Sequence, residues 1–78
     1  MNMENDKQAI LLKEMYQLMS DLSSDISQIG DWKVIKIYEA RMHGKDDPYD
    51  FDELSAQRQA ARVRINEIQE ELEELDKE

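Results

Sequence analysis

From Phe51 to Leu75, eight positions recur at alternating spacings of three and four: Phe51, Leu54, Arg58, Ala61, Ile65, Ile68, Leu72 and Leu75. That period puts them on one face of an α-helix. A helix with so long an apolar stripe must bury it against another element, so the rest of the chain is expected to pack on this seam. The start of the helix is marked several times over. Asp50 stands where an N-cap belongs and Glu53 at the third helical position, the spacing of a capping box. Tyr49 and Leu54 have the spacing of a hydrophobic staple, and Pro48 biases Asp47 away from helical geometry. Asp50, Asp52 and Glu53 place negative charge at the positive end of the helix dipole. Arg58 is the only polar residue of the stripe. Its stem can lie along the seam with the guanidinium at the edge, or it can pair with a carboxylate such as Asp21, Asp25 or Glu39.

Upstream lies a second seam. Leu12, Met15, Met19, Leu22, Ile26 and Ile29 keep the same alternation, and Leu11 and Leu18 widen it. Asn5 and Gln8 form a weaker capping box, which predicts a first helix over about 6–29 with fraying of residues 1–4. Ser20, Ser23, Ser24 and Ser27 are indifferent helix formers, so the latter half depends on packing. Gly30 followed by Asp31 reads as a left-handed helix stop and then a new N-cap. The run Trp32 to Tyr38 resembles a strand in composition, but the chain offers no second strand to pair with it. As a helix over 32–43 it gathers Trp32, Ile35, Tyr38 and Met42 on one face, and Arg41 and His43 suit its C-terminal dipole before Gly44 closes it. The last helix is expected over 51–76, with a frayed end because its acidic tail opposes the dipole. The fold class is therefore all-α: a single domain over 1–78, as a three-helix bundle or a long helical hairpin with a short middle helix and coiled-coil-like seams. Leu22, Ile26, Ile35, Tyr38, Leu54, Ala61, Ile65 and Ile68 are the expected core.

With 78 residues, a single core rarely supplies more than about 3–5 kcal/mol, so a further stabiliser is expected. The chain has no cysteine, which removes disulfides, thiolate zinc sites and Fe–S clusters. Self-association is the simplest remaining route. No leader-like N-terminus and no membrane-length apolar run is present, so a soluble, cytoplasmic protein is expected. The net charge of −9 argues against direct nucleic-acid binding. Residues 1–32 carry −4, residues 33–64 carry +1, and residues 65–78 carry −6.

Candidate chemistry is sparse. Asp46, Asp47, Asp50, Asp52 and Glu53 are the only cluster suited to a hard cation. Counted from Asp46, Phe51 occupies the position where a calcium loop needs glycine and Gln57 the one where it needs glutamate, so a loop and cap role is expected. His43 is the sole histidine, too few for a histidine-pair zinc site. Lys33, Lys36, Arg41, Arg58, Arg62 and Arg64 are matched by acids in the same segment and read as solvated charge. No metal, cofactor or catalytic residue is expected, and three helices of this length have little room to enclose a pocket.

The function expected is that of a non-enzymatic interaction or assembly module. Its interaction seam would comprise Leu12, Met15, Met19, Leu22, Ile65, Ile68, Leu72 and Leu75, and its structural cap Tyr49, Asp50, Glu53 and Leu54. A middle helix of about 18 Å cannot cover outer helices of roughly 35–40 Å. A homodimer with antiparallel long helices is therefore expected, with another protein as the other possible partner. The alternative is an acidic decoy that presents its carboxylates to a basic, nucleic-acid-binding protein.

Overall fold

The computed structural model describes residues 3–77, with side chains described from Asp6 to Lys77. The protein is all-α: α1 spans Met3–Ser23, α2 Asp31–Met42 and α3 Phe51–Lys77, with no strand among the described residues. Helix α1 packs along α3. The pairing is antiparallel, since Arg64 meets Glu14 while Arg58 meets Leu22. Leu11, Met15 and Ile68 form the core of this hairpin, with Leu12, Leu18, Ile65, Leu72 and Leu75 packed against it. Ile68 is wholly buried, a burial that stabilises by about 1.5–3 kcal/mol.

The hairpin is long rather than round. Its radius of gyration is 16.6 Å, against about 11–12 Å for a compact chain of this length. Its extents of 56 × 18 × 15 Å are narrow in two directions and α2 has only 12 residues, so no third layer covers the α1–α3 seam along its length.

The two later helix boundaries lie where local chemistry predicts. Asp50 Oδ1 accepts from the Glu53 backbone N–H at 3.0 Å, and the Asp50 carbonyl takes the first helical bond, from Leu54 N–H at 3.0 Å. The reciprocal half of the capping box is absent: the Glu53 carboxylate lies 3.5 Å from Gln57 Nε2 instead. At the end of α2, Gly44 takes φ +69°, the left-handed conformation expected of it. Gly44 N–H donates to the Arg41 carbonyl at 3.1 Å and Lys45 N–H to the Ala40 carbonyl at 2.8 Å, the paired bonds of a Schellman motif.

The first helix departs from expectation at both ends. It is helical from Met3, so Asn5 lies inside it and not at its cap; Met1 and Asn2, where fraying was expected, lie outside the described residues. It stops at Ser23 instead of running to 29. The serines are the reason. Ser24 Oγ accepts from the backbone N–H of both Ile26 and Ser27 at 3.0 Å, offering the chain an alternative to helical bonds. Ser23 Oγ donates to the Met19 carbonyl, and Ser27 Oγ donates to the Asp21 carbonyl, one of the acceptors that the last turn leaves open.

Gly30 is likewise not a left-handed stop. It is the N-cap of α2, in extended geometry (φ −74°, ψ 161°), with Asp31 as the first helical residue. What requires glycine is space: a Cβ there would collide with the Ser24 carbonyl and come within 2.9 Å of Trp32 Cδ1. At the other end of the chain α3 is formed through Lys77, past the turn expected to fray.

Three of the expected core residues are exposed. Ile26 is 83% accessible, because the chain has left the helical phase by that point. Ile35 and Tyr38 are 54% and 65% accessible, since α2 turns Ile37 inward in their place. Leu54, Ala61 and Ile68 are buried as expected, and Leu22 and Ile65 are half-buried.

Candidate interaction surface

Most of the predicted interaction seam is used within the chain. Met15 and Ile68 are buried between α1 and α3, and Leu12, Leu22, Ile65, Leu72 and Leu75 are half-buried along their contact. Met19 alone of the eight is exposed, at 48%. The seam therefore closes the hairpin, and the surface open to a partner is made of its edges.

Two apolar rows remain at those edges. On α1, Leu12, Tyr16 and Met19 are spaced by four and three and share one flank, with Tyr16 60% accessible. On α2, Ile35, Tyr38 and Met42 are spaced by three and four, and Met42 is 69% accessible. Ile10 lies on the opposite flank of α1, beside a shallow depression lined by Lys13, Glu14, Gln17 and Leu18.

The other flank of the hairpin is closed by charge. Arg64 donates from Nε and Nη2 to the two oxygens of Glu14 at 2.7 and 3.0 Å, and its Nη1 lies 3.3 Å from Glu67 and 3.8 Å from Glu71. The bond to Arg64 holds the Glu14 carboxyl below its ordinary range against a smaller opposing effect of desolvation, and the Arg64 guanidinium is correspondingly raised. Sequence spacing gave no sign of this pair, whose members lie 50 residues apart.

Arg58 and Trp32 fix the end of the molecule that carries α2. Arg58 Nη1 donates to the carbonyls of Leu22 at 3.2 Å and Ile29 at 2.7 Å, and Nη2 to Asp31 Oδ1 at 2.7 Å. Its carboxylate partner is thus Asp31, not Asp21, Asp25 or Glu39. Trp32 Nε1 donates to the Ser27 carbonyl at 2.6 Å, and its ring meets that of Tyr49 edge-on at 5.5 Å. The Lys33 ammonium lies 4.9 Å from the centre of the Tyr49 ring, close enough for a cation–π contact. The residue ahead of the α3 cap is in this way tied to the start of α2.

The acidic loop is spent on structure. Asp47 accepts two bonds from Arg41 at 2.8 Å, which hold its carboxyl below the usual range, while the Arg41 guanidinium covers the Phe51 ring at 4.7 Å. Asp50 caps α3. Among the described residues no three carboxylate or histidine side chains converge on a metal position. No described helix is long and apolar enough to cross a membrane.

No protein-family model matches the chain, no curated protein matches it, and no solved structure matches it.

Proposed function

We propose that the protein is a non-enzymatic helical interaction module that works as a homodimer, with long helices packed antiparallel. The observation that carries this reading is surface area. The chain exposes 5977 Å², against about 5,000 Å² for a compact monomeric protein of its mass. The difference, roughly 1,000 Å², is of the size that one partner contributes to a standard protein interface, about 800 Å². Apolar rows on α1 and α2 supply the kind of surface that association covers. Sedimentation equilibrium at about 100 µM, where a weak dimer is populated by mass action, should return twice the 9.3 kDa of the chain. A lone 9.3 kDa species would defeat the homodimer.

A second reading is supported by the exposed acids Glu70, Glu73 and Asp76 near the end of α3. They would suit an acidic decoy bound to a basic, nucleic-acid-binding protein. The two readings separate by salt: capture of a basic partner weakens steeply as ionic strength rises, whereas an apolar dimer does not.

A further inference from the structure

Resting on the dimer reading, we propose that the second copy docks on the α1 row Leu12, Tyr16 and Met19, with its α1 antiparallel about a two-fold axis near Tyr16. Three observations lead there. The first is footprint. The α2 row lies on a helix of 12 residues, about 18 Å long and 10 Å wide, too small to bury the roughly 800 Å² that each partner of a standard interface gives up. The α1 row runs along the flank of the α1–α3 hairpin, whose α3 has 27 residues and is about 40 Å long, so a contact can extend on either side of it.

The second is self-complementarity. A two-fold interface joins a patch to itself. The four-then-three spacing of Leu12, Tyr16 and Met19 is nearly symmetric about its centre, so reversal sets Leu12 opposite Met19 of the partner and Tyr16 opposite its own copy.

The third is charge. The antiparallel hairpin brings residues 6–14 and 65–77 to one end, with eight acids and three bases, a net −5. Residues 15–64 carry nine acids and seven bases, a net −2. A parallel dimer would set the two acidic ends side by side. An antiparallel one turns about an axis near Tyr16, which lies level with Arg64 through the Glu14 contact. It carries each α3 C-terminus about 20 Å beyond the axis and so sets the two acidic tips roughly 40 Å apart, several times the Debye length of about 8 Å at physiological salt.

The chain has no cysteine, so single-cysteine variants report cleanly. Leu12→Cys and Met19→Cys proteins are mixed and oxidised gently with glutathione disulfide, beside Leu12→Cys alone and Tyr38→Cys alone; circular dichroism confirms that each variant is helical. The expected result is that the mixed Leu12→Cys/Met19→Cys dimer forms about tenfold faster than the Leu12→Cys self-dimer, with Tyr38→Cys no faster than the latter. Equal or faster self-linkage of Leu12→Cys would make the packing parallel and overturn the proposal. Dominant linkage through Tyr38→Cys would move the interface to α2, and absence of any linkage in a protein that sediments as a dimer would remove it from both rows. A monomer in sedimentation of the unaltered protein is a different failure, that of the dimer itself.

Discussion

Arg58 on α3 closes the C-terminus of α1 by donating to the Leu22 carbonyl at 3.2 Å. The same guanidinium reaches Ile29 and Asp31, so one side chain ties the end of α1, the turn after it and the start of α2 to α3. The Arg58 side chain is only 11% accessible whereas Asp31 is 53% accessible. The buried carbonyl bonds should therefore outweigh the exposed ion pair. Arg58→Met, which keeps the aliphatic stem, should cost about 1.5–3 kcal/mol, and Asp31→Asn about 0.2–1 kcal/mol. Urea denaturation of the two variants checks the order; equal losses would mean that the ion pair carries the junction.

Gly30 offers a test whose sign is informative. Its φ of −74° suits alanine, and without obstruction Gly30→Ala should stabilise by about 0.4–1 kcal/mol through the unfolded chain. The Ser24 carbonyl and the Trp32 ring leave no room for a Cβ, however. Overpacking of this kind costs about 1–3 kcal/mol, so a net loss is expected. Trp32 is the only tryptophan, and its fluorescence should shift with the displaced turn. A stabilised variant with unaltered emission would contradict the close approach.

The Glu14–Arg64 pair sets an acid-side dependence. The folded Glu14 carboxyl titrates below its ordinary value because Arg64 donates to it. The contribution to stability is thus complete above the unfolded carboxylate value of about 4.3 and is lost as pH falls through the lower, folded value. Asp47, held down by Arg41, adds a contribution of the same sign. Carboxyl-carbon NMR should show Glu14 titrating below the ordinary glutamate range, and Arg64→Met should move it back up. If Glu14 titrates identically in both proteins, the ion pair does not persist in solution.

How far the sequence could be followed depended on the range of the interaction that decides each feature. The Asp50 cap and the Gly44 closure rest on bonds between residues within five positions, and both were legible. Apolar spacing found the α1–α3 seam because the pattern holds over many turns. It overran α1 because Ile26 and Ile29 stay in phase with the seam while Ser24 redirects the backbone ahead of them. In α2 the sequence carries apolar residues on two faces, and which face is buried depends on how the helix docks; Ile37 went inward and Ile35 and Tyr38 outward. The partners of Arg58, and the Glu14 that pairs with Arg64, come from positions 27 to 50 residues away, beyond anything that local spacing reports.

The sharpest check on the packing compares two isoleucines that share one heptad logic and differ in outcome. Ile68 is 0% accessible and sits with Leu11 and Met15 at the centre of the hairpin, whereas Ile26 is 83% accessible in the turn after α1. Truncation removes the same atoms at both sites, but only at Ile68 does it leave a cavity and forfeit burial. Ile68→Ala should cost about 2–5 kcal/mol. Ile26→Ala should stay within about 0.5 kcal/mol, as surface substitutions do. The difference decides where α1 ends, because a helix continued to Ile29 would turn Ile26 onto the seam and make the two losses comparable. Denaturant midpoints measured at low protein concentration, so that self-association does not add to apparent stability, would show it directly: a loss above roughly 2 kcal/mol at Ile26 would extend the helix and bury that side chain.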